Sequence, residues 1–120
     1  MSRHALDKNE QAKIEVQRGL TTLLNLNEPV HKYLYAAGCK GRRKSSHTCP
    51  LAMFLRKTLR LAGFPDSGTE VAVGKTVIVV YYPGARAQML TIPPELEDFV
   101  EAFDLGLYPE LEAVPGNVVV

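Results

Sequence analysis

Imidazoles and thiols gather in one short stretch of the chain, at His31, Cys39, His47 and Cys49. Four such ligands are enough for a tetrahedral zinc site. Their spacing argues against one. Short paired C-x-x-C knuckles are absent, and the tightest pair is His47-x-Cys49. The four stand as metal candidates by residue type alone, and no cofactor is expected. A Cys39–Cys49 disulfide would span the intervening loop, but two cysteines without an export signal suggest reduced thiols in a cytosol. The plainer reading is two reduced, partly buried thiols at helix ends. Cys49 also carries a nucleophile reading. A helix N-terminus, His47 and a basic loop would all favour its thiolate. No acid–base partner can be assigned to it, and no nucleophile motif surrounds it.

Beside these residues runs the basic stretch KGRRK, followed by SSHT. Arg and Lys with Ser and Thr near a helix start can hold phosphate through side chains and backbone N–H groups. The stretch is not a P-loop, because the G-x-x-x-x-G-K-[ST] spacing is missing. Gly74-Lys75-Thr76 looks like the end of that motif, but Thr69 stands where its first glycine would be. A hairpin turn is expected there instead. No Ser-His-Asp order or dinucleotide glycine pattern is present. The carboxylates near the C-terminus lie on an acidic face that singles none out. The chain is therefore expected not to be an enzyme.

The charge distribution sharpens the basic feature. Formal net charge is only +1. Yet residues 1–62 hold 12 Lys/Arg against four Asp/Glu, and residues 63–120 hold two against nine. Between Pro29 and Pro65 there is no acidic residue; between Glu95 and Glu112 there is no basic one. Such asymmetry points to a charged partner, or to two lobes that face each other within the fold or across a dimer.

The elements that must position these groups follow from periodicity. Residues 5–26 predict a helix, with Ala5, Ala12, Val16, Leu20 and Leu23 on one face and Leu24 beside it. Ile14 falls on the opposite side. Asn27 is expected to cap a second helix, with Pro29 in its first turn and Val30, Tyr33, Leu34 and Ala37 inward. Gly38 ends it in the left-handed conformation. Residues 39–48 form a basic loop. Pro50 opens a third helix with Cys49 near its N-cap. Leu51, Phe54, Leu55, Leu59 and Ala62 make its core stripe, Arg56, Lys57 and Arg60 point largely away, and Gly63 and Pro65 close it. Residues 70–73, 76–82 and 87–92 predict an antiparallel meander, turning at Gly74-Lys75 and Pro83-Gly84. Residues 76–82 are apolar on both faces, which predicts a central strand covered from two sides. Pro93-Pro94 starts an acidic fourth helix that buries Leu96, Phe99, Val100 and Phe103 and ends at Gly106. Tyr108, Pro109 and Leu111 are expected to pack back, and residues 113–120 to form a flexible tail. The expected fold is one α+β domain over residues 1–120: three N-terminal helices, a three-stranded antiparallel meander, then a C-terminal acidic helix. No apolar run reaches membrane-span length, and the first residues are polar. A cytoplasmic protein without a membrane partner is expected.

Three helices followed by a hairpin loosely match a winged helix, with residues 50–62 as reader. The long connection before that helix weakens the match, and its outer face holds few base-reading side chains. The stretch YLYAAG, a polar loop and CPLAMFLRKTLRLAGF resembles small proteins of actinobacteria and their phages, in which C-P-[LI]-A-x-[FY]-L opens a helix. Cys49, Pro50, Leu51, Ala52, Phe54 and Leu55 carry that resemblance. It implies a small accessory protein of the phage-encoded kind that acts by binding, with Cys-Pro as a structural helix start. The expected function is non-enzymatic binding of a polyanion, foremost nucleic acid, by Lys40, Arg42, Arg43, Lys44, Arg56, Lys57 and Arg60. The alternatives are an effector docking on the acidic surface of a host protein, a homodimer joined through opposed charges, and, last, a thiol enzyme using Cys49.

Overall fold

A computed structural model describes residues 8–64, 69–81 and 87–113. Ala12, Val16, Leu20 and Leu23 recur at helical spacing, and all four are buried along helix α1, Lys8–Leu24. Ile14 lies outward, and so does Leu24, the last residue of the helix, which the periodicity had placed beside the buried face. Helix α2 spans Val30–Ala36. Pro29 holds the N-cap position with no side-chain hydrogen bond, so Asn27 does not cap it. The reason is local: the residue before a proline is pushed out of the α region, which keeps the helix from starting earlier.

Helix α3, Pro50–Leu61, starts on Cys49, whose Sγ accepts a 3.4 Å hydrogen bond from the Ala52 N–H. It buries Leu51, Ala52, Phe54, Leu55 and Leu59. Ala62, expected in that stripe, is exposed as the C-cap, because the helix ends at Leu61 before the stripe can bury it. Gly38, Gly63 and Gly106 follow helix ends with φ of 75°, 99° and 85°.

Strands β1 (Glu70–Val73), β2 (Val77–Tyr81) and β3 (Gln88–Thr91) form an antiparallel sheet in the order β1-β2-β3. Val71 pairs with Val80, and Ile78 with Leu90. The Gly74 N–H donates to the Val77 carbonyl at 2.8 Å, closing the β1–β2 turn. Val71, Val73, Ile78, Val80 and Leu90 are buried on the inner face, where α1 and α3 pack against each other and on the strands. On the outer face Ala72, Val77 and Val79 are only half-buried, and Tyr81 and Met89 are exposed. The expected cover on both sides of β2 is therefore not found. Among the described residues, no further helix packs extensively on the strands.

Helix α4, Pro94–Asp104, buries Leu96, Phe99, Val100 and Phe103 and carries Glu95 and Glu97 in its first turn, where the helix dipole favours them. A 3-10 turn, Pro109–Leu111, folds the following arm back and buries Leu111 completely. Tyr108 stacks between His31 of α2 and Phe99 of α4, with ring centroids 4.6 and 5.4 Å away. These contacts tie the acidic segment to the basic half of the chain. Among the described residues, four helices and one antiparallel sheet share one apolar core, an α+β fold. Among the described residues, no helix is long and apolar enough to cross a membrane. The expected helix start at Ala5, the closures at Pro65 and Tyr82, the Pro83-Gly84 turn and the tail from residue 114 onward lie outside the described residues.

Candidate functional site

The basic loop has no helix of its own, yet backbone hydrogen bonds pin it on three sides. The Arg42 N–H donates to the Thr48 carbonyl, closing the loop on itself at 2.8 Å. The Val73 N–H donates to the Ser46 carbonyl at 2.8 Å, joining it to β1. The Gly41 N–H donates to the Leu111 carbonyl and the Ala113 N–H to the Gly41 carbonyl, both at 2.8 Å. Gly41 and Glu112 thus form an isolated parallel bridge between loop and acidic arm. Gly41 is buried against the chain entering α3. A Cβ there would lie 2.6 Å from the Cys49 carbonyl carbon and 2.7 Å from the Pro50 nitrogen. Glycine is needed because backbone, not a yielding side chain, fills that space.

The seven basic residues have different surroundings. The Lys40 ammonium stands 5.5 Å from the Tyr35 ring centroid, and both residues are exposed. That distance suits a cation–π contact. Arg42 is exposed. Arg43 turns back, with Nε 3.4 Å from Glu112 Oε1. Lys44 takes the left-handed conformation at φ 58°, and its backbone N–H donates to Asp104 Oδ1 at 2.7 Å. Arg56 Nη2 donates to the His47 carbonyl at 2.9 Å and Lys57 Nζ to the Ala37 carbonyl at 3.1 Å. Both are half-buried, while Arg60 is exposed near the end of α3. Arg56 and Lys57 therefore also brace the fold. Carboxylates of the acidic segment meet the basic loop at Asp104 and Glu112, and Lys40 and Arg42 stay exposed.

Between the loop, the β1–β2 turn and α4 lies an open cleft of about 740 Å³. Lys44 and Lys75 line it together with Glu97, Asp98, Glu101 and Asp104, and Cys49 and Val100 also reach it. Its lining carries more acid than base, so it repels a polyanion and suits the exposed loop edge better as the anion side.

The four metal candidates are not assembled. His31 stacks on Tyr108. Cys39 is buried beside the Ala37 carbonyl. His47 is exposed, 3.9 Å from Glu70, and Cys49 caps α3. Among the described residues, no three His, Cys, Asp or Glu side chains are grouped to hold a metal ion. Both cysteines are free thiols. The expectation of a favoured Cys49 thiolate is overturned. Burial pushes its pKa up, Asp104 adds to the rise, and the helix N–H groups only oppose it. Burial likewise raises Cys39, against the opposing charge of Lys57.

Sequence reasoning missed Tyr35 and the contacts of Asp104 and Glu112. Tyr35 had a signal, since it falls off the inward stripe of α2 five residues before Lys40. The acidic contacts had none, because they join residues far apart in the chain. No protein-family model, curated protein or solved structure matches this chain.

Proposed function

We propose that this chain is a small non-enzymatic binding protein whose basic loop engages nucleic acid, in keeping with the accessory role that the Cys-Pro resemblance implies. The observation that carries the reading is the exposed Lys40–Tyr35 pair with exposed Arg42 beside it in an acid-free stretch of chain. Arg and Lys take phosphates without regard to sequence, and an exposed ring gives an unpaired base a platform for stacking. Single strands suit this pair better than duplex, whose bases already stack on each other. Arg43 belongs to the same loop, and Arg56, Lys57 and Arg60 add positive potential from α3.

Fluorescence anisotropy with labelled single-stranded and duplex oligonucleotides tests the proposal. The wild type should bind the single strand more tightly, with affinity falling as salt rises. Lys40→Ala and Arg42→Ala should each flatten the salt slope by about 0.7. Tyr35→Ala should weaken single-strand binding by about tenfold or more, with the salt slope almost unchanged. No binding at low salt, or binding insensitive to salt, refutes the proposal.

A further inference from the structure

We infer that Glu112, on the acidic arm after α4, is an internal competitor for Arg43 of the basic loop, holding back part of the loop's anion-binding capacity until nucleic acid displaces the carboxylate. The inference rests on the nucleic-acid reading and concerns regulation of that same surface.

Two anion-binding donors of the loop already hold carboxylates of the same chain. Glu112 Oε1 lies 3.4 Å from Arg43 Nε, and Asp104 Oδ1 accepts the Lys44 N–H at 2.7 Å. Guanidinium and backbone N–H are also the groups that bind phosphate, so a phosphate and these carboxylates claim the same donors. The arm presents Glu112 by construction. Hydrogen bonds on both sides of Gly41 fix the neighbours of Glu112 against the loop, which places its carboxylate at Arg43. The Arg43 side chain reaches over Gly106, where a Cβ would stand 2.8 Å from its Nη1. It therefore lies along the end of α4, where unsatisfied carbonyls also favour a cation.

The contact is built to be exchanged. The Arg43 side chain is 50% exposed and that of Glu112 27%. An ion pair so open to water is weak, and an incoming phosphate can reach the guanidinium from solvent. The bridge at Gly41 uses backbone groups alone, so Glu112 can release Arg43 while the arm stays docked. Nucleic acid that displaces the carboxylate gains one more cation than Lys40 and Arg42 provide.

The test compares anisotropy titrations of a single-stranded oligonucleotide with the wild type, Glu112→Gln, Glu95→Gln and the double variant Glu112→Gln/Arg43→Ala. Glu95→Gln makes the same charge change at an exposed site in the first turn of α4. Glu112→Gln should bind about threefold tighter than Glu95→Gln, the scale of one exposed ion pair that no longer has to be broken. The gain should vanish in the double variant. The wild type supplies an independent readout, because its Arg43 Nε–H resonance should shift as oligonucleotide is added. Equal affinities of Glu112→Gln and Glu95→Gln, or an Arg43 resonance unmoved at saturation, overturn the inference while the nucleic-acid reading stands. If neither the wild type nor any variant binds, the nucleic-acid reading itself fails and takes this inference with it.

Discussion

Cys49 shows how little a residue's neighbours in sequence say about its chemistry. A helix N-terminus and adjacent bases would activate an exposed thiol; here the side chain is 3% exposed, and burial outweighs them. Its work in the fold is to receive the Ala52 N–H, one of the unpaired donors at the start of α3. Cys49→Ala should therefore cost about 1 kcal/mol in urea unfolding, while Cys49→Ser, which restores a capping oxygen, should cost less. The raised pKa has a consequence for pH. The folded value lies above that of the unfolded thiol, so the unfolded chain gives up its proton first. This contribution to stability is whole below the unfolded pKa and is lost as pH rises from there through the raised one. Wild-type stability should decline over that alkaline window, and Cys49→Ser should decline less.

Among the elements, the loop of residues 39–48 decides most about the site. It is held by other elements rather than by its own periodicity, through Gly41 to the arm and Ser46 to β1, while Thr48 closes it on Arg42. Gly41 is the tightest point of that assembly. Gly41→Ala should lower unfolding free energy by about 2 kcal/mol, as overpacking against backbone does, and should weaken oligonucleotide binding with it. A stable fold with wild-type binding would contradict this account of the loop. The helices and strands were largely legible beforehand, because apolar residues at 3.6- and 2-residue spacing report which face is buried. Leu51, Phe54, Leu55 and Leu59 are the clearest case. What periodicity misjudged lies at element ends and on the sheet: Leu24, Asn27, Ala62 and the outer face of β2. Those positions depend on where the chain turns next and on how many helices cover the sheet.

At the scale of the molecule, the two charge blocks meet without cancelling. They touch at Lys44–Asp104 and Arg43–Glu112, while Lys40 and Arg42 stay exposed on one side and the cleft keeps an acidic surplus on another. Binding and folding should then respond differently to salt. Raising it from about 50 to about 200 mM should weaken oligonucleotide binding by about tenfold, because releasing counterions into saltier solution gains less entropy. The thermal midpoint should hardly move, since exposed ion pairs contribute about 0–1 kcal/mol each and the apolar core is indifferent to charge screening. A midpoint that fell in parallel with binding would place charge among the main stabilising forces of the fold.

The sequence by itself determined the α+β class, the buried face of each helix, the Cys-Pro start of α3 and the separation of charge, since each is written in local spacing. It also contained Tyr35 and the basic loop as types of residue, but not their relation. Tertiary structure alone decided that His31, Cys39, His47 and Cys49 stay apart, that burial keeps Cys49 a thiol, and that Glu112 reaches Arg43. Those outcomes depend on contacts between segments distant in the chain. Such contacts are set by how the core closes, and no local spacing records them.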